Sequence, residues 1–162
     1  MIITVKGAKD KQLTYMLKLA TNSFAKNLFS LQMIRHLEIR IRIEDKLDAG
    51  AYCDYIGDRY PPRIFLIDIH RTSKKIHMFS ALAHEMVHVK QLAKGEMKDR
   101  LLKTKYYTLW RGETYSNDVS YWDQPWEIEA YGLQESLVAK FLMEHDQFKN
   151  LRQRQEDWFV YD

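Results

Sequence analysis

His84-Glu85-Met86-Val87-His88 is the stretch whose residue types and spacing point most directly to chemistry. Residues four apart on an α-helix lie one turn apart on the same face, so both imidazoles can reach one point. Neutral imidazole suits Zn2+, which takes about four nitrogen, oxygen or sulfur donors in a tetrahedron. Glu85 adjoins His84, so it is badly placed to complete that tetrahedron. It is well placed to take a proton from a water that a metal activates. Ala81, Leu82, Met86, Val87 and Val89 make the segment largely apolar, as befits a metal-bearing helix beside a core. A catalytic zinc keeps about three protein ligands and an open position, so a third ligand must come from elsewhere.

On these residues the chain resembles the zincin-type metallopeptidases, whose hallmark is a His-Glu-x-x-His helix. The metzincin branch continues with Gly and then His, where this chain has Gln91 and Lys94, which excludes that branch. His145 is the only later histidine and poorly serves the branch with a third His on a later helix. The gluzincin branch draws its ligand from Glu-x-x-(small)-(acid or amide) on a following helix. Here Glu127-Ile128-Glu129-Ala130-Tyr131 follows Pro125-Trp126. The resemblance thus implies His84, His88 and Glu127 as metal ligands and Glu85 as the catalytic base.

Helical geometry also prefers Glu127. Taking Ala130, Leu133, Leu137, Val138, Phe141 and Leu142 as the buried face, Glu127 lies roughly 40° from its centre and Glu129 roughly 120° away. Glu129 is the alternative third ligand. Tyr131 stands where the family has a carboxylate or amide, and its phenol could orient a ligand histidine. Peptide deformylases pair the same motif with an upstream Cys ligand, but Ala51-Tyr52-Cys53-Asp54 does not resemble their surroundings. The resemblance implies an α+β, minimal zincin-like domain holding one Zn2+ and hydrolysing a peptide or protein substrate. The size and Trp-rich run are similar to minimal zincin-like proteins of phage and bacterial genomes. Within that picture Arg63–Ile69 is the sheet-edge strand before the metal helix, to which an extended substrate could add.

The elements that must position these residues can be read from periodicity. Apolar residues at Leu13, Met16, Leu17, Ala20, Phe24, Leu28 and Leu31 predict a helix from about Lys9 to Met33. Leu37–Glu44 alternates strictly between apolar and charged, which predicts a strand with one face buried. Lys46–Gly50 reads as a turn, and Ala51–Ile56 and Arg63–Ile69 as further strands. A helix from about Ile76 to Lys94 ends at Gly95, suited to a C-terminal cap. Lys105–Arg111 is a possible strand, and Gly112–Asp123 a polar, aromatic loop. A helix from Pro125 to about Glu144 follows, with Asp123 or Gln124 as its cap. Phe148–Asp162, charged and then apolar at Trp158-Phe159-Val160-Tyr161, suggests a short closing helix. With no linker or repeat, 162 residues predict one domain over 1–162 with a mixed sheet of three to four strands.

Composition bounds the rest. Hydrophobic residues at 46% and charged residues at 29% can build a core, which excludes disordered and fibrous classes. The single Cys53 excludes an intrachain disulfide framework and points to a reducing compartment. No apolar run reaches the roughly 18–20 residues of a membrane span, and Met1–Lys6 lacks the basic start of a signal peptide. The expectation is a cytoplasmic protein. Trp110, Tyr115, Tyr121, Trp122 and Trp126 crowd the stretch between the two site helices. They either pack a long loop or wall a cleft in which a tyrosine such as Tyr121 steadies an oxyanion.

Residues 1–111 carry 21 Lys+Arg against 11 Asp+Glu, net +10, whereas residues 112–162 carry 4 against 11, net −7. The cluster Lys90, Lys94, Lys98, Arg100, Lys103 and Lys105 could contact phosphates, so a nucleic-acid-associated factor is one alternative function. A catalytically silent zincin-like binding module is another. The competing reading of the charge split is that the two segments dock on each other.

Overall fold

The computed structural model describes residues 1–71, 74–102, 105–116 and 118–148. In chain order these form β1 (Ile2–Lys6), α1 (Lys11–Leu28), α2 (Leu31–Ile34), β2 (Glu38–Glu44), β3 (Ala51–Tyr55), β4 (Ile64–His70), α3 (Lys75–Ala93), β5 (Met97–Leu102), β6 (Lys105–Trp110), β7 (Glu113–Ser116) and α4 (Pro125–Glu144). Short 3-10 turns occupy Tyr121–Asp123 and Asp146–Phe148. The closing helix expected over Phe148–Asp162 lies, from residue 149 onward, outside the described residues.

The chain is α+β, with a mixed sheet in the order β1-β2-β4-β3 and a separate antiparallel sheet β5-β6-β7. In the main sheet β1, β2 and β4 are parallel, and β3 runs antiparallel to β4. The register sets Ile39, Ile41 and Ile43 beside Phe65, Ile67 and Ile69. All six are buried on the face that α1 and α3 cover. The alternating charges of β2 fall on the other face, where Arg42 pairs with Asp68 and Arg40 with Glu38. Each fully buried Ile or Phe contributes about 1.5–3 kcal/mol relative to exposure. Phe24 of α1, Phe79 of α3 and Phe141 of α4 meet in the core, with Phe141 6.0 Å from Phe24 and 5.5 Å from Phe79.

Three expectations need correction, and β1 adds to the strands expected. β4 is an interior strand, and the edge beside the site is β3. The composition is consistent: β4 is nearly continuous in apolar residues, whereas Tyr52, Asp54 and Tyr55 of β3 are exposed. The helix expected from Lys9 to Met33 is interrupted because Phe29 is extended and Ser30 caps a new turn at Met33 N–H. Ile2–Lys6 forms a fourth strand, with α1 supplying the crossover that its parallel pairing to β2 requires. Glu113–Ser116, inside the expected loop, is a strand.

The turn between β6 and β7 has two residues, Arg111 and Gly112, at φ +48° and +94°. Both left-handed positions match the hairpin turn normally written Asn-Gly or Asp-Gly. Arginine there costs about 1 kcal/mol of backbone strain. Tertiary contacts hold it: Arg111 N–H donates to Glu96 O at 2.7 Å, and its guanidinium lies 4.5 Å from the Trp110 ring centre.

Candidate metal centre

α3 brings the two histidines to the site because it is buried on nearly every side, from Ile76 to Ala93. Its C-terminus closes in a Schellman motif. Gly95 at φ +72° donates to Leu92 O, and Glu96 N–H donates to Gln91 O at 2.8 Å. α4 starts at Pro125 and carries Glu127 in its first turn against α3; Gln124 is the cap, with no side-chain capping bond.

His84, His88 and Glu127 form a group that could hold a metal ion. His84 Nε2 lies 3.1 Å from His88 Nε2 and 3.1 Å from Glu127 Oε2, while His88 Nε2 lies 3.3 Å from Glu127 Oε1. The tautomers follow from the far side of each ring. Gln91 uses its amide N–H groups on Trp126 O at 2.9 Å and Glu129 Oε2 at 3.0 Å, which turns its Oε1 to His88 Nδ1 at 2.8 Å. Gln134 Oε1 faces His84 Nδ1 at 3.0 Å. Both Nδ1 atoms therefore donate, leaving both Nε2 lone pairs aimed at the Glu127 carboxylate. Three acceptors converging within hydrogen-bond distance repel one another unless a cation or a proton lies between them. The donor set fits a metal.

Where no metal is bound, a proton at histidine Nε2 takes the cation's place and is donated to Glu127. Burial would raise the Glu127 pKa, but hydrogen bonds from His84, His88 and Tyr121 and the His88 charge hold it well below the ordinary carboxylate range. Burial would lower His88; the Glu127 hydrogen bond and the charges of Glu85 and Glu127 outweigh it, so its pKa is raised. Glu85 is 6% exposed. Burial pushes its pKa up, with the two histidines pulling partly back.

Glu129 is placed elsewhere. Its carboxylate takes Lys90 Nζ at 2.9 Å and Arg111 at 2.6 Å, and Glu96 takes the same two cations at 2.7 and 3.2 Å. Gln91 joins this four-charge cluster to His88. Lys90 is 8% exposed, so this member of the expected phosphate-binding cluster is committed to carboxylates. Lys98 lies over the Tyr60 ring at 4.3 Å. The side chains of Arg100, Lys103 and Lys105 lie outside the described residues. Lys90 and Arg111 come from the basic segment and Glu129 from the acidic one, so the charge split does join the two here.

Tyr121 O–H donates to Glu127 Oε2 at 2.7 Å. Burial and its bonds to Tyr131 and Glu127 push its pKa well above the usual phenol range. Tyr131 touches His84 through its ring, at 4.6 Å between centres, and its hydroxyl lies 3.4 Å from that of Tyr121. The amide that orients His84 is instead Gln134, one turn beyond Tyr131. Trp126 is buried against Trp110 and Tyr115, while Trp122 is exposed and lies tilted against Tyr131. Cys53 lines a cleft together with His84, Glu85, His88 and Glu127 but lies outside the three-residue group. Burial raises its pKa. His145 packs on Phe141 and Phe148.

Sequence reasoning missed Gln91 and Gln134 as orienting groups. Helical spacing held the signal: Gln91 is three residues after His88, and Gln134 is seven after Glu127. Comparisons with family models, curated proteins and solved structures return no match. Among the described residues no helix is long and apolar enough to cross a membrane.

Proposed function

We propose that the protein is a zinc-dependent metallopeptidase with a gluzincin-like ligand set, hydrolysing a peptide or amide bond. The observation that carries this reading is the convergence of His84 Nε2, His88 Nε2 and the Glu127 carboxylate in a cleft that Glu85 also lines. In a tetrahedral site with zinc bonds of about 2.0–2.1 Å, ligand atoms lie about 3.3 Å apart. The separations here are 3.1, 3.1 and 3.3 Å. Two imidazoles and one carboxylate favour zinc over the all-oxygen preference of calcium or magnesium.

Held by His84, His88 and Glu127, a zinc ion would supply Lewis-acid polarisation of a carbonyl and activation of water. Glu85, buried beside the two histidines with an elevated pKa, is suited to accept the proton of that water and pass it to the leaving amine. Gln91 and Gln134 hold the imidazoles in the metal-binding tautomer. The sheet edge beside the cleft offers a place for extended substrate. His70 N–H donates to Gly50 O and Ile56 N–H to Ile64 O, so even-numbered β3 residues bond inward and Ala51, Cys53 and Tyr55 turn their backbone groups outward.

The test is Glu85→Gln on zinc-loaded protein, assayed with a broad peptide library. The expected result is retained zinc with cleavage reduced at least about 100-fold, the scale of a lost general base. Wild-type activity in that variant, or no cleavage by zinc-loaded wild type, refutes the proposal.

A further inference from the structure

The cleft has two lobes that share His84, Glu85 and Tyr121, and they differ in chemistry. The lobe on the His84 side is bounded by Ser80, Ala81, Tyr131 and Gln134. The larger lobe, about 400 Å3, extends past His88 to Leu92, Met97, Asp99, Thr108 and Trp126. Its far wall belongs to the small sheet. Asp99 pairs with Thr108 across β5 and β6, and the Thr108 hydroxyl donates to Asp99 Oδ1 at 3.1 Å. Strand alternation puts Met97 and Asp99 on the cleft side, while Lys98 between them turns to Tyr60.

The charge balance of this lobe is one-sided. Glu85, Asp99 and Glu127 line it, and among the described residues no lysine or arginine does. Glu127 faces the histidines and Glu85 lies beside them, whereas Asp99 stands apart on the small sheet. Among the described residues no cation pairs with Asp99, although Glu96 and Glu129 nearby are each shared by Lys90 and Arg111. An apolar wall of Leu92, Met97 and Trp126 leading to a carboxylate matches a side chain with an aliphatic stem and a cationic head.

We propose that this lobe is a specificity pocket for lysine or arginine, so that the substrates are peptides with a basic side chain beside the scissile bond. This rests on the metallopeptidase reading, and the test separates the two. Matched peptides carrying Lys, Arg, Gln or Glu at each position are assayed for cleavage by wild type, Asp99→Asn and Asp99→Lys. The same peptides are assayed for binding to zinc-loaded Glu85→Gln protein, with and without Asp99→Asn, by fluorescence anisotropy. Thermal melts check that each variant folds.

The expected result is an about tenfold or greater preference for basic peptides, lost in Asp99→Asn and shifted towards Glu in Asp99→Lys. Cleavage with no basic preference, or a preference unchanged in Asp99→Lys, overturns the pocket and leaves the metallopeptidase reading standing. Absence of cleavage, together with tight, Asp99-dependent binding of basic peptides, supports the pocket and overturns the hydrolytic reading. Equal binding of basic and neutral peptides overturns the pocket.

Discussion

Gln91→Leu removes a side chain that touches neither the expected metal nor the substrate, yet it should weaken both folding and metal binding. Gln91 is fully buried and makes three hydrogen bonds, to His88 Nδ1, Trp126 O and Glu129 Oε2, at 2.8, 2.9 and 3.0 Å. Leucine is close in volume, so little cavity forms and the loss is polar. Each hydrogen bond contributes about 1 kcal/mol net, and each buried group left without a partner costs about 1–3 kcal/mol. His88 Nδ1–H is such a group, whereas Trp126 O keeps its helical bond within α4, so one unpaired donor and two lost hydrogen bonds should cost the apo protein about 3–4 kcal/mol. Removing the orienting acceptor of a ligand histidine should also reduce zinc affinity about 10–100-fold. Urea denaturation of the apo protein measures the first effect, and competition against a chromophoric chelator the second. Gln134→Leu is the internal comparison: Gln134 is only half-buried and its other contact, to Glu135, is 3.4 Å long, so water can replace it. Its stability loss should stay below about 1.5 kcal/mol. Zinc affinity of Gln91→Leu within twofold of wild type would refute the claim that this amide fixes the His88 tautomer.

The pH profile should have opposite slopes with and without metal. In the apo protein the raised His88 contributes stability that is complete below about pH 6.5 and lost as pH rises through its higher folded value. The lowered Glu127 contributes stability present above about pH 4.3 and lost as pH falls through its folded value. Apo stability should therefore decline from weakly acidic to neutral pH, while zinc affinity, which requires neutral His88, rises up to tenfold per unit. Melting curves and chelator competition across pH 5.5–8 read both slopes, where parallel slopes would contradict this assignment. Lys90→Met should cost about 3 kcal/mol, because it leaves Glu96 and Glu129 in a partly buried cluster with only the half-exposed Arg111. Arg111→Ala should cost less than about 1 kcal/mol beyond its effect on the turn. Denaturation midpoints compare the two, and an equal loss would argue against a buried centre on Lys90.

The parts of the site legible in the sequence share one property: helical periodicity projects them onto a face. His84 and His88 at four-residue spacing, and Glu127 on the apolar side of α4, needed only the approximate 3.6-residue repeat. β2 was equally readable, because one face is buried isoleucine and the other carries paired charges. What escaped depends on long-range pairing. The near-continuous apolar run of β4 is compatible with an interior strand, but the order itself arises from pairing β2 with β4. Ile2–Lys6 is too short for its alternation to stand out until β2 supplies a partner. The Arg111-Gly112 turn carries no asparagine or aspartate because Glu96 and Glu129, distant in sequence, hold the arginine. The two glutamines lay on the correct faces, but polar residues on a helix give no sign of their partners until the helices are docked.

Metal analysis by mass spectrometry of wild type, Glu127→Ala and Glu129→Ala, each purified without added metal and then titrated with zinc, tests the central claim most directly. One zinc per wild-type chain is expected, with loss of zinc in Glu127→Ala and retention in Glu129→Ala even though that variant loses the Lys90 and Arg111 pairings. Full zinc in Glu127→Ala, or its loss in a folded Glu129→Ala, would contradict the ligand set. A wild type that binds no zinc would contradict the metal centre itself.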